Sequence, residues 1–158
     1  MNETQTDREF AVTRWFDAPR AAVFRAWTVP AEMEWYLNPE QPRPDEPIEV
    51  DLRVGGAWRV PMVIDADTDY ITGGIYLEIV PDEKLVFAWG AVDGWPKIDL
   101  DDLEAGPVAS LDLVERDGGT EAILTVRLPA ELSAPEVRHW LGLGIREGWT
   151  ATFERLQL

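Results

Sequence analysis

The stretch from Arg14 to Pro30 constrains the fold more than any other part of the sequence, because it joins a strand, a turn and a helix. Phe10 to Phe16 is dense in aromatic and β-branched side chains, which predicts a first strand. Asp17-Ala18-Pro19 ends this strand, since Asp can cap a helix and Pro suits its first turn. A helix is predicted next, because apolar side chains recur at helical spacing, at Ala22, Val23, Ala26 and Trp27. After Pro30, the segment from Ala31 to Leu37 predicts a second, shorter helix.

The segment from Ser133 to Leu158 predicts one long amphipathic helix. Ser133 and Glu136 have the S-x-x-E spacing of a capping box, in which two orphan backbone donors are satisfied reciprocally. Apolar residues then recur every three or four positions over about five turns. Gly144 and Gly148 lie one turn apart on this stripe, although a helical glycine costs roughly 1 kcal/mol relative to alanine. Two explanations are open: another element approaches closely there, or the missing side chains leave room for a ligand.

The middle of the chain alternates as antiparallel strands do. Strands are predicted over residues 57–64, 70–80, 85–89, 108–116 and 120–128. Asp117-Gly118-Gly119 indicates a hairpin turn between the last two. Gly73-Gly74 predicts a bulge or a sharp bend in the long strand. Four prolines between Asn38 and Pro47 predict a stiff extended connection.

Composition narrows the classes of function. The 158 residues include 30 acidic and 14 basic side chains, and the resulting charge of −16 repels phosphate backbones, so we expect no nucleic-acid partner. No apolar run approaches the ~18 residues of a membrane span, and the polar start, Met1 to Asp7, favours a cytoplasmic location. The absence of cysteine excludes disulfides and thiolate metal ligands. We expect a single domain over residues 1–158, ordered from about residue 8 to 157.

Five short motifs together resemble a known family. They are Arg14-x-Phe16-Asp17-Ala18-Pro19, Val54-Gly55-Gly56-x-Trp58, Gly74-x-Tyr76-x-Glu78-Ile79-x-Pro81, Leu85-x-Phe87-x-Trp89 and Gly148-Trp149. The chain resembles the helix-grip superfamily, also called SRPBCC, START-like or birch-pollen-allergen-like. Within it, the chain is similar to the branch of the C-terminal domain of the heat-shock-chaperone ATPase activator. The branch often has an acidic residue or Asn where this chain has Val29, and nothing here fits the activator's separate N-terminal chaperone-binding domain.

This resemblance implies an α+β helix-grip fold. A seven-stranded, curved antiparallel sheet would wrap around the long C-terminal helix, with two short helices after the first strand. A hydrophobic cavity would open near those two helices. Eight tryptophans in the chain could line such a cavity or fill the core themselves. The candidate ligand-binding residues are Trp58, Met62, Tyr76, Glu78, Trp89, Trp140, Gly144, Gly148 and Trp149.

Glu78 is the candidate polar anchor, since a period of two puts it on the inner face whenever Tyr76 faces inward. A buried carboxylate there would have a raised pKa and could act as an acid or base. The alternative is a Glu78 paired with an arginine or placed where the strand leaves the core. His139, the only histidine, is expected to face solvent, which leaves no relay or His-rich metal site. Asp65-x-Asp67-x-Asp69 lacks the glycine and glutamate of a calcium loop, so we expect no metal site there. We also expect no cofactor.

Three functional hypotheses follow. The leading one is the binding of a small hydrophobic or aromatic molecule between the C-terminal helix and the sheet, without catalysis. The second is a cyclase-like or hydrolase-like enzyme that uses the same cavity, with Glu78 or Tyr76 as acid or base. The third is a stress protein that acts on a chaperone partner as the activator does. A homodimer is an open alternative for the assembly.

Overall fold

The computed structural model describes residues 8–158. The polar segment 1–7, which entered the argument about location, lies outside the described residues. Within residues 8–158, seven strands form one antiparallel sheet in the order β1-β7-β6-β5-β4-β3-β2. The strands are β1 (Glu9–Phe16), β2 (Glu49–Val50), β3 (Ala57–Asp65), β4 (Thr68–Val80), β5 (Lys84–Trp89), β6 (Val108–Arg116) and β7 (Gly119–Arg127). The sheet confirms the predicted helix-grip architecture.

In the described part of the chain, three α-helices accompany the sheet. They are α1 (Arg20–Thr28), α2 (Ala134–Gly142) and α3 (Ile145–Glu154). The side chains at alternate positions of the central strands are buried and form the core with the inner faces of α1 and α3. None of the helices within residues 8–158 is long and apolar enough to cross a membrane.

The C-terminal segment, predicted to form one long helix, instead forms two helices divided at Gly144. This glycine has φ 84° and ψ 22°, in the left-handed region, and separates α2 from α3. Its N–H donates to the carbonyl of Leu141 at 3.2 Å, which satisfies an orphan carbonyl at the end of α2. Its own carbonyl accepts from Gly148 N–H at 2.8 Å and so begins α3. The predicted start is confirmed, because Ser133 and Glu136 make both bonds of the capping box.

The segment expected to form a second short helix instead forms two separate 3-10 turns, Pro30–Glu32 and Glu34–Tyr36. Met33 lies between them with φ −101° and ψ 10°, outside helical geometry. The side chain of Met33 is fully buried, which ties this bend to the core. The predicted Asp17 cap is also corrected: α1 begins after Pro19 without a side-chain cap.

The bulge in β4 lies three residues beyond the glycine pair. Gly73 and Gly74 pair regularly with β3, whereas the register shifts between Tyr76 and Glu78. A Cβ atom on Gly74 would lie 2.5 Å from Nε1 of Trp58. The close approach of that indole, rather than a bend, therefore requires glycine at position 74.

Arg14 fastens the end of α3 to the first strand. Its guanidinium donates to the carbonyls of Phe153 and Leu156, each at 2.6 Å. It also lies over the ring of Phe16, 4.5 Å from the centroid. Positive charge at the carboxyl end of a helix complements the helix dipole. The first strand and the last helix are thus joined directly, at the end of α3 away from Gly144.

Candidate ligand cavity between the sheet and the last helix

A cavity of about 190 Å³ lies between the first turns of α3 and strands β3 to β5. Its wall also includes the second 3-10 turn and the loop after β5. The lining residues are mostly aromatic or aliphatic: Tyr36, Met62, Tyr70, Thr72, Trp89, Trp95, Leu143, Gly144, Ile145, Gly148, Trp149 and Thr152. Among these described residues, none bears a charged side chain.

The helical side of the cavity is open because of its glycines. A Cβ atom on Gly148 would meet no heavy atom within 4 Å, and one on Gly144 would meet only Glu147 Oε2, at 3.9 Å. Neither glycine is therefore required by a close neighbour. At Gly144 the left-handed backbone itself favours glycine. At Gly148, which is exposed on α3, the missing side chain leaves space beside the helix.

Two tryptophans and a threonine form the inner wall. The rings of Trp89 and Trp149 lie 5.3 Å apart at 64°, an edge-to-face arrangement. The indole N–H of Trp89 donates to Oγ1 of Thr72 at 3.0 Å, across the β4–β5 pair. This bond fixes the Trp89 ring and leaves the Thr72 hydroxyl proton free to donate to another group.

Trp95, in the loop after β5, is a partly exposed part of the cavity wall. It packs edge to face on Trp89, with centroids 5.5 Å apart, and lies 39% exposed. Its backbone N–H donates to Ile71 O at 2.8 Å. The loop that carries Trp95 is held to β3 by a bidentate ion pair between Arg59 and Asp93, with N–O distances of 2.5 and 2.8 Å. The Arg59 guanidinium lowers the pKa of the Asp93 carboxyl, so the pair is ionised at neutral pH.

Two residues of the wall have buried polar atoms without a hydrogen-bond partner among residues 8–158. They are the hydroxyl of Tyr36 and the indole Nε1 of Trp149. Tyr36 is 2% exposed and Trp149 5% exposed. Burial, and secondarily the nearby Tyr76, raises the pKa of Tyr36 well above its usual range. Its hydroxyl therefore stays protonated at neutral pH and can donate a hydrogen bond.

Comparison with known proteins identifies the family. The family model described as "Activator of Hsp90 ATPase homolog 1-like protein" matches residues 17–158. The chain belongs to this family. A search of curated proteins finds no match.

Solved structures share the fold of this activator-like chain. A Mycobacterium smegmatis protein is 19% identical with a TM-score of 0.70, and the match covers 95% of this chain and 88% of that one. An uncharacterised Rhizobium leguminosarum protein is 24% identical with a TM-score of 0.66, covering 94% and 91%. An Arthrobacter aurescens protein is 19% identical with a TM-score of 0.70, covering 94% and 83%. At these identities the likeness extends to the fold alone.

The structure brings five of the residues predicted for the site together in the cavity wall of this family member: Met62, Trp89, Gly144, Gly148 and Trp149. Three others lie outside the wall. Trp58 is buried behind it, between Tyr36 and Phe87. Tyr76 is in the core, and Trp140 packs on the outer side of Trp95 with centroids 6.1 Å apart.

The predicted placement of Glu78 needs correction. Tyr76 does face the core, but the bulge at Leu77 breaks the period of two, so Glu78 pairs with Val86 and is exposed. Ile79 takes the inward position instead. His139 is exposed, as expected.

Seven lining residues were not among the predicted site residues: Tyr36, Tyr70, Thr72, Trp95, Leu143, Ile145 and Thr152. Tyr36 and Ile145 occur in apolar patterns that indicate burial without distinguishing core from cavity. Trp95 belongs to a loop, and hydrophobic periodicity does not predict where a loop residue lies in the fold. An aromatic residue between Gly94 and Pro96 was the one local signal for an ordered loop there.

A larger groove of about 1120 Å³ lies elsewhere, at the start of β1 and the end of β7. Its lining includes six charged residues: Arg8, Glu9, Asp102, Glu104, Arg127 and Glu131. Arg8 is already engaged, because it donates to the carbonyl of Pro129 at 2.7 Å. The wall of this groove is of mixed charge, whereas the described wall of the smaller cavity carries no charged side chain.

Proposed function

We propose that the protein binds a small hydrophobic or aromatic molecule in the cavity between α3 and the sheet. The observation that carries the proposal is a cavity of about 190 Å³ between α3 and strands β3 to β5, whose described lining is mostly aromatic or aliphatic and carries no charged side chain. A cavity that combines apolar walls with a few polar groups is typical of small-molecule sites.

Binding without catalysis fits the wall better than the enzyme hypothesis does. Glu78 is exposed on the outer face, and burial raises the pKa of Tyr76 far above neutrality. Neither residue lines the cavity, and among the described lining residues there is no carboxylate or imidazole. General acid–base chemistry needs a group within hydrogen-bond reach of the substrate whose pKa is near the working pH.

A thermal-shift screen tests the proposal. The panel covers one-ring aromatics, flavonoids, sterols, fatty acids and polyketides. A ligand at 100 times its dissociation constant adds about 2.7 kcal/mol, which corresponds to roughly 5–10 °C for a domain of this size.

A blocking variant makes the screen specific for the cavity. Gly148→Leu adds a side chain to the exposed helix position that lines the cavity, and we expect it to abolish the shift. Ala151→Leu is the matched control, because Ala151 is also exposed on α3 but lies outside the lining. A ligand that shifts all three proteins equally would bind elsewhere. A flat screen would refute the proposal and favour a protein partner, to be tested by the ATPase rate of the chaperone.

A further inference from the structure

The wall of the cavity is rich in aromatic rings, and its described residues bear no charge. Five of these residues, which we call the aromatic wall, are Tyr36, Tyr70, Trp89, Trp95 and Trp149. Resting on the binding function proposed above, we infer that the hydrophobic ligand carries a quaternary ammonium group, which is bound among these rings by cation–π contacts.

Neighbouring rings of the aromatic wall are steeply inclined to one another. The ring centroids of Tyr36 and Trp149 lie 6.2 Å apart at 76°, and those of Trp149 and Trp89 5.3 Å apart at 64°. Trp89 and Trp95 lie 5.5 Å apart at 89°, and Trp95 and Tyr70 6.5 Å apart at 90°. Such rings form corners rather than a parallel stack, so a cation between them can lie over the face of one ring while it contacts the next. Cages of this kind recognise quaternary ammonium groups, because a cation within about 6 Å of a ring centroid is attracted to the ring face.

The charges around the cavity favour a cation over an anion. Arg59, which holds the loop of Trp95, forms a bidentate pair with Asp93 and lies 3.7 Å from Glu49. Arg155 donates to the backbone carbonyl of residue 36 at 3.0 Å and does not line the cavity. Over longer distances, the formal charge of −16 attracts cations and repels anions.

The wall favours a quaternary ammonium over a protonated primary amine. A primary ammonium has three N–H donors, and buried donors need acceptors. The described lining contains no carboxylate, and Oγ1 of Thr72 already accepts from the indole of Trp89 at 3.0 Å. A trimethylammonium group has no N–H, so its methyl groups can pack against the rings without leaving a donor unsatisfied.

One carboxylate lies beside the helical side of the cavity and offers a different attraction for a cation. Oε2 of Glu147 is 3.9 Å from the position that a Cβ atom of Gly144 would take. Glu147 is exposed, and solvent and salt weaken the attraction of an exposed charge. We therefore expect the rings, rather than this carboxylate, to provide most of the selectivity for a cation.

NMR titration at an ionic strength of about 0.15 M tests the inference, since exposed charges are largely screened there. The three probes have similar shapes: choline is a cation, 3,3-dimethylbutan-1-ol is neutral and 3,3-dimethylbutanoate is an anion. The indole N–H signals of the eight tryptophans report binding, and those of Trp89, Trp95 and Trp149 should shift. We expect choline to bind about tenfold more tightly than the alcohol, equivalent to about 1.4 kcal/mol, and the anion to bind more weakly than the alcohol.

Trp95→Leu removes one ring of the aromatic wall but keeps an apolar side chain at this partly exposed position. It should lower the choline affinity about fivefold and leave that of the alcohol within about twofold. Trp15→Leu is the matched control, because Trp15 is also exposed but does not line the cavity. This control, and Glu147→Gln, should bind choline within about twofold of the unmodified protein.

The inference is overturned if the alcohol or the anion binds the unmodified protein as tightly as choline, a comparison that needs no variant. It is also overturned if Trp95→Leu weakens both probes equally, or if Glu147→Gln removes the preference for choline. Binding of neutral compounds in the broad screen without a preference for choline refutes this ligand class and leaves the proposed function standing. Binding of neither the three probes nor the broad panel refutes both.

Discussion

Replacing Gly144 and Gly148 by alanine, one at a time, should change the free energy of unfolding in opposite directions. Gly144 has φ 84°, and an L-residue in the left-handed region costs roughly 1–2 kcal/mol. A Cβ atom there meets only Glu147 Oε2 at 3.9 Å, an ordinary contact, so the cost is backbone strain rather than a clash. We therefore expect Gly144→Ala to lower the stability by about 1–2 kcal/mol.

Gly148→Ala should instead raise the stability. Gly148 lies inside α3, and a Cβ atom there meets no heavy atom within 4 Å. Alanine is favoured over glycine in a helix interior by about 1 kcal/mol, and no steric cost opposes this gain. We expect an increase of about 0.5–1 kcal/mol.

Urea denaturation followed by tryptophan fluorescence and by far-UV circular dichroism measures both changes. In thermal unfolding, each 1 kcal/mol corresponds to about 2–4 °C in Tm for a protein of this size. Gly144→Asn serves as a control, because asparagine tolerates the left-handed region and should lose less stability than alanine. The reasoning is refuted if both alanine variants lose stability equally, as a continuous helix packed through two glycines requires, or if Gly144→Ala is neutral.

Three further predictions concern single side chains. Arg14→Met should lower the stability by about 2–3 kcal/mol in urea denaturation, because two charge-assisted bonds to the last turn of α3 are lost; a loss below about 0.5 kcal/mol would contradict this role. Tyr36→Phe should stabilise the unliganded protein by about 1 kcal/mol, since it removes a buried hydroxyl without a partner among residues 8–158; a loss of stability would indicate that this hydroxyl is hydrogen-bonded. The Ser133 backbone N–H, and secondarily its side chain, lower the pKa of Glu136 from its ordinary value of 4.5. Because the folded-state pKa is depressed, the stabilisation by Glu136 is present above pH 4.5 and is lost as the pH falls through the lowered pKa. The stability difference between the unmodified protein and Glu136→Gln should therefore shrink in acid, and a difference that stays constant from pH 7 to pH 2 would contradict the linkage.

Features set by local chemistry were predictable from the sequence. The hairpin turn is one, since Asp117 and Gly118 both have positive φ, as a two-residue turn between twisted strands requires. The capping box is another, because Ser133 and Glu136 need only each other's backbone. Both depend on residues close in sequence, so the pattern alone determines the structure.

Features set by distant partners were not predictable. Gly144 and Gly148 have the same local signal, yet one ends a helix and the other lies inside one. Gly74 resembles a bulge residue, but its role depends on the indole of Trp58 across the strand pair. The actual bulge, at Leu77, has no glycine and reverses the orientation expected for Glu78. The alternation of side chains along a strand cannot predict such a register shift, because it assumes an unbroken ladder of hydrogen bonds.

The two ends of α3 explain why the sequence indicates the fold more clearly than the ligand. The carboxyl end is fastened by Arg14 and by the packing of Phe16 on Phe153, with ring centroids 5.9 Å apart. The amino end presents Gly144 and Gly148 to the cavity. The motif Arg14-x-Phe16, which carries the family resemblance, belongs to the fastened end, and neither of these residues lines the cavity. Substitutions in the cavity wall can therefore change the shape of the cavity while this attachment, and with it the fold, is preserved.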